Sequence, residues 1–262
     1  MSEHNKNNHE TSKVNGMNYL ELDDKQKIIW RMIDSRFSEL LRREHGSNVY
    51  CGKEKLKGSV YDGCLDVARY VQSPIHVMWI LKEHNDEPHS NNEGHFETFS
   101  DCVLKPDKFK KNVVRFRSLR LIEKASRLLL NLPESDTTMA FKSVAIVNLG
   151  KCPGKNKTPD SRLDDLVEWW GDIIKRQVSD YKPDVVIVPG SHFSRVAKLL
   201  ACNLEKGKFR KGRAMAELHA NEDVPIIRIQ HPSWYGCKED DWIWVLLEAF
   251  TKAFPCVKLG KT

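Results

Sequence analysis

The sequence predicts an α/β protein of three layers, α/β/α, with a central four-stranded parallel sheet. Two observations predict this class. Four short runs are almost continuously apolar, as strands buried on both faces are, rather than alternating as half-exposed strands do. Segments of helical period separate those runs, the strand-then-helix rhythm of parallel sheets. At 262 residues, 40% hydrophobic and 30% charged, the chain also has the size and composition to bury a proper core.

The elements follow in order. Residues 20–45 place Ile28, Ile29, Met32, Ile33, Phe37, Leu40 and Leu41 on one helical stripe. Pro74 precedes the first strand, residues 75–81, and a polar, glycine-containing loop runs from Lys82 to about Ser100. Residues 113–131 read as a basic amphipathic helix stopping near Asn131 and Pro133. Residues 144–147 form the second strand. Ser161 with Asp164 resembles a capping box, opening a helix through Tyr181. The third strand, residues 185–188, ends at Pro189-Gly190 and leads into a helix reaching Cys202. Residues 225–229 form the fourth strand and residues 242–254 the last helix. The expected organisation is a disordered leader over 1–18, a helical extension over 19–73 packed on the domain, and an α/β domain over 74–258.

Composition narrows the function classes. Forty-two basic and thirty-six acidic residues leave a net charge of +6, too mild to demand nucleic acid by itself. The cations are clustered, however: one run spans Lys105 to Arg127, and a second, Lys206, Lys208, Arg210, Lys211 and Arg213, falls in a segment read as a loop. Two such clusters flanking one site would make a phosphate track. Seven cysteines without C-x-x-C spacing argue against a disulfide framework or a standard zinc site. The leader is polar and no apolar run approaches a membrane span, so a cytoplasmic monomer with no membrane partner is expected.

In a parallel sheet, chemistry collects at the carboxyl ends of the strands. Here those ends read Lys82-Glu83-His84-Asn85-Asp86-Glu87, then Asn148-Leu149-Gly150-Lys151-Cys152-Pro153, then Gly190-Ser191-His192, then Gln230-His231-Pro232-Ser233-Trp234-Tyr235. A carboxylate, an amide, a glycine turn and an imidazole would meet on one rim. The order of these loops over residues 74–254 resembles the uracil-DNA glycosylase superfamily. His231, Pro232 and Ser233 are similar to its His-Pro-Ser motif. Asn148, Lys151 and Cys152 stand in register with the Asn-x-x-Lys-Cys-x-Pro stretch of its iron–sulfur branch, and Asn156 and Pro159 resemble the tail of that stretch. Two departures stand out. The first motif lacks its glycine, keeping only Glu83 at the second place, and the cluster-forming C-x-x-C is missing, so neither a metal nor another cofactor is expected.

The resemblance implies a uracil-DNA glycosylase-like fold and hydrolysis of the bond between a base and its sugar, with DNA, single- or double-stranded, as partner and the base flipped out of the stack. His231 would donate a hydrogen bond to the base oxygen that gains charge, and Glu83 would orient water or stabilise the sugar cation, with Asp86 and Glu87 as rivals. Asn148 would read the base edge, because an amide offers donor and acceptor side by side. Phe96, or alternatively Phe99, would stack on the base. Contacts to DNA would come from Lys151, Ser191, Ser233, Trp234 and Tyr235. Because the first motif departs from its pattern, a nucleic-acid-binding protein of the same fold with reduced catalysis is the alternative reading.

Overall fold

The computed structural model describes residues 18–42, 62–82, 106–134, 137–151, 163–202, 204–220, 224–257 and 259. Eight helices and seven strands lie among the described residues. In chain order these are α1 (Tyr19–Arg42), β1 (Gly63–Cys64), α2 (Val67–Gln72), β2 (Val77–Leu81), α3 (Pro106–Arg115), α4 (Arg117–Leu129), α5 (Thr137–Lys142), β3 (Ala145–Asn148), α6 (Leu163–Tyr181), β4 (Val185–Pro189), α7 (Phe193–Leu199), β5 (Leu204–Lys211), β6 (Ala214–Ala220), β7 (Pro225–Ile229) and α8 (Glu239–Ala253).

The α/β class is as the apolar runs predict. The sheet is wider than expected and mixed: seven strands in the order β1-β3-β2-β4-β7-β6-β5. The four apolar runs are neighbours in its middle, with β3, β4 and β7 joined through parallel pairs to β2 and to one another. The additional strands are antiparallel. β1 pairs with β3, and a hairpin of β5 and β6 extends the other side beyond β7. This hairpin is the segment read as a basic loop. It turns at Gly212, whose φ of +56° suits glycine, and its strands carry the alternation of half-exposed β-structure. Ala214, Ala216 and Leu218 face the core, while Met215, Glu217 and His219 take the other side.

Strand alternation sends successive residues to opposite faces, and each face has its own core. Val77, Trp79, Ile146, Ile187, Ile227 and Ile229 pack under α3, α4, α5 and α8. Met78, Ile80, Val147, Val186, Val188 and Ile226 pack under α1, α2, α6 and α7. The two layers are pinned at their centres by fully buried Trp79, Trp170 and Trp242. The indole of Trp79 donates to Ser126 Oγ at 3.0 Å, and that of Trp242 to the Gln230 carbonyl at 2.8 Å. Residues 19–73, expected as an extension, contribute β1 to the sheet and Leu22, Ile29, Ile33 and Phe37 to the second core. Ile28, assigned to that stripe, is 44% exposed, since one helical step rotates it past the buried face. The single helix expected over 113–131 is two helices, broken at Phe116. The capping residue Ser161 lies outside the described residues.

The chain enters the parallel set at β2, moves outward to β3, and then crosses back to β4 on the other side of β2. The crevice between the carboxyl ends of β2 and β4 is therefore a topological switch point, where open α/β sheets bind their ligands.

Candidate functional site

Register brings the strand ends into one row. Leu81 is opposite Asn148, and Pro189 is opposite Ile229. Since Trp79 is opposite Ile187, Leu81 and Pro189 fall at the same level. Asn148 and the residue before Gln230-His231 are thus on one rim, three strand spacings apart, or about 14 Å.

The β3 end is closed and rigid. Asn148 is 1% exposed, and both atoms of its side-chain amide are buried with no partner among the described residues. Native proteins satisfy nearly all such groups, so an idle amide at a strand end points to a ligand. Behind it, Asp62 collects three donors: the Asn148 backbone N–H at 2.5 Å, the Lys151 ammonium at 2.6 Å and the Gln177 amide at 2.7 Å. Lys151 also donates to Gln177 Oε1 at 2.8 Å. Its side chain is wholly buried, and burial lowers its pKa against the opposing pull of Asp62. Lys151 was expected on DNA. The structure corrects this: its ammonium faces the protein interior, and its work is to hold Asp62 and through it the Asn148 main chain. The adjoining turn is tied to β2 by Leu149 N–H to Leu81 O at 2.8 Å and Gly150 N–H to Lys82 O at 3.0 Å.

The β7 end is open. His231 is exposed at its edge, and its Nδ1 takes hydrogen bonds from the Ser233 hydroxyl at 2.6 Å and the Ser233 N–H at 3.2 Å. An Nδ1 that accepts leaves the ring proton on Nε2, so the neutral imidazole offers an N–H donor. Desolvation by the surrounding walls, and then the Lys82 charge, lower the His231 pKa and favour that neutral form. Ser233, expected on DNA, thus sets the tautomer of its neighbour.

Loop position is fixed from several sides. Gln230 donates to the Arg213 carbonyl at 2.9 Å and accepts from Met215 N–H at 2.9 Å, tying the loop to the β5–β6 hairpin. Arg117, at the start of α4, donates to the carbonyls of Trp234 at 2.5 Å and Cys237 at 2.8 Å. Gly190 has φ +104°, and a Cβ there would meet His231 Cδ2 at 3.4 Å, so the turn after β4 lies alongside the imidazole. The neighbouring His192 Nε2 lies 2.9 Å from the Ile80 carbonyl, fastening this turn to β2.

Trp234 and Tyr235 project outward, 42% and 82% exposed, with the Arg117 guanidinium 5.2 Å from the Tyr235 ring centroid. Ser191 is exposed on the rim. Glu83, Phe96 and their rivals Asp86, Glu87 and Phe99 lie outside the described residues, as does Cys152.

The two basic clusters do border the His231 loop, but unequally. In the first, Arg120 pairs with Glu239, Lys124 with Asp240, and Arg127 with Glu123 and Glu134. Together with Arg117, these cations hold helices and loops together. In the hairpin, Lys208 pairs with Glu205, whereas Arg210 and Arg213 have no acidic partner among the described residues. Asp62, Gln177, Arg117 and Gln230 were not identified as site residues from sequence. Each acts through long-range contact, which no local spacing encodes.

Cys64, Cys202, Cys237 and Cys256 are free thiols. No helix of the described residues is long and apolar enough to cross a membrane. No family model matches the chain, and a search of curated proteins finds none similar to it.

Proposed function

We propose that this chain is a uracil-DNA glycosylase-like protein that takes a base flipped out of DNA and hydrolyses its bond to the sugar. The observation that carries this reading is the idle, buried amide of Asn148 on the same rim as an imidazole whose donor is Nε2–H. In the proposed reaction, Asn148 pairs with the polar edge of a uracil or another deaminated base. Water, oriented by Glu83, attacks C1′ as the base–sugar bond breaks, and the electron pair leaves with the base. His231 Nε2–H stabilises the anionic oxygen that results, and the nearby Lys82 charge acts in the same direction. Water supplies the new hydroxyl of the abasic sugar, keeping one hydrogen, and its other proton is the one the base takes up.

The test is an assay on oligonucleotides carrying uracil, hypoxanthine or xanthine, with alkali revealing abasic sites. Cleavage at one of these lesions, reduced by more than about 10²-fold in His231→Ala, is the expected result. No scission at any of them would overturn the chemistry. Salt-sensitive DNA binding without scission would instead favour a binding protein of the same architecture.

A further inference from the structure

On the α6–α7 side of the sheet a cleft of about 380 Å³ opens beside His231. It is lined among others by Met215, Glu217, Arg228, Gln230 and Trp234, and its volume is in the range of small-molecule sites. His231 also lines it, so the cleft adjoins the proposed base site, while its Met215, Glu217 and Arg228 side has no part in the hydrolysis.

Its floor is a built polar pair. Glu217 of β6 and Arg228 of β7 are direct cross-strand partners. Arg228 Nη1 donates to Glu217 Oε2 at 3.0 Å, and His219 Nε2 lies 3.5 Å from the same oxygen. Phe193 packs against both side chains, with the Arg228 guanidinium 5.5 Å and the His219 ring 4.6 Å from its centroid. The Glu217 side chain is 9% exposed, and its Arg228 and His219 contacts both fall on Oε2. Burial raises the Glu217 pKa, but the Arg228 hydrogen bond and charge outweigh it and leave the group below its ordinary value, hence ionised. A carboxylate that is 9% exposed and whose protein contacts fall on one oxygen, beside a guanidinium, suits a ligand edge with N–H donors next to an acceptor. Trp234 adds an indole wall, and Met215 an apolar one.

We propose that this cleft binds guanine, with the Glu217 carboxylate accepting from the ring N1–H and the 2-amino group, Arg228 donating to O6, and Trp234 providing the stacking surface. Guanine is the base that sets two donors side by side with an acceptor beyond them. Uracil and thymine place their single N–H between two carbonyl oxygens, which the carboxylate repels. Adenine and cytosine offer an amino group next to a bare ring nitrogen, leaving half of the carboxylate unmatched. That the bound guanine neighbours the extruded base in one strand rests on the function proposed above; recognition of guanine itself does not.

The experiment titrates the full chain with the monophosphates of guanosine, inosine, adenosine, cytidine and uridine, following heat and tryptophan fluorescence. Guanosine monophosphate binds about tenfold or more tightly than each of the others, the inosine comparison isolating the 2-amino group. Glu217→Gln removes that preference. Met215→Trp, which fills the cleft without touching the ion pair, removes binding and serves if Glu217→Gln melts early. Equal affinity for all five nucleotides, or an unchanged preference in both variants, overturns the proposal. Excision measured in parallel separates the two readings: base removal without guanine preference retires the cleft alone, and guanine preference without base removal retires the chemistry alone.

Discussion

The two ends of the proposed base site are built on opposite principles. At the β3 end, Asn148 is held by a buried ionic cluster in which Asp62, Lys151 and Gln177 satisfy one another. At the β7 end, His231 lies in an exposed loop held by neutral and charge-assisted bonds to backbone groups, with Ser233, Gln230 and Arg117 as the fasteners. A buried charge network tolerates little movement, because any displaced member is left uncompensated in a low-dielectric interior. A solvated loop can shift and re-form its bonds with water. In the proposed reaction the β3 end would read the base edge, and the β7 end would admit the strand and meet the developing charge.

Substitutions can break this contrast. The largest effect is expected from Lys151→Met, which leaves Asp62 buried and unpaired: a loss of about 3–5 kcal/mol in denaturant unfolding. Adding Asp62→Asn should recover part of that loss, since the amide still accepts from the Asn148 N–H. A second-site recovery of nothing would mean the cluster does not act as a unit. Gly190→Ala comes next, at about 1–3 kcal/mol, because a side chain at φ +104° is strained and would also meet the His231 ring. Its excision rate should fall further than its stability explains.

Gly236→Ala sharpens the contrast from the open side. A Cβ there would overlap the Trp234 indole at 2.1 Å, so the ring must swing away. Because Trp234 is partly exposed, the stability change should stay within about 1 kcal/mol. The expected signature is altered tryptophan fluorescence and weaker DNA binding; an unchanged spectrum would show that the indole had room.

The smallest expected effect is on pH dependence. The His231 pKa lies below its ordinary 6.5 because of desolvation and the Lys82 charge. Between the folded and unfolded values the unfolded chain binds the extra proton, so stability declines as pH drops below 6.5 and levels off beneath the folded value. The neutral donor survives through the same window, so excision should hold steady past pH 6.5 before falling. In His231→Ala the decline in melting temperature over that window should shrink.

Legibility in the sequence followed the range of the interactions involved. Trp79, Ile146, Ile187 and Ile227 sit in short apolar runs, and those runs are strands in the structure. Asn148 stands directly after such a run and His231 two places after another, which is why a rim joining them could be anticipated. By contrast, the β5–β6 hairpin was read as a loop because Gly207 and five cations mask its alternation. Lys151 was read as a phosphate contact because a lysine's partner 89 residues away in Asp62 leaves no local trace.

Periodicity and strand-end chemistry, both properties of neighbours in the chain, therefore determined the α/β class and the pair of residues around which the site is proposed. Which cations meet solvent and which are consumed inside, how wide the sheet grows, and which Asn148 atoms remain idle were decided only by folding. Those outcomes depend on burial and on partners brought together across the molecule, and desolvation is a property of the assembled interior rather than of any segment.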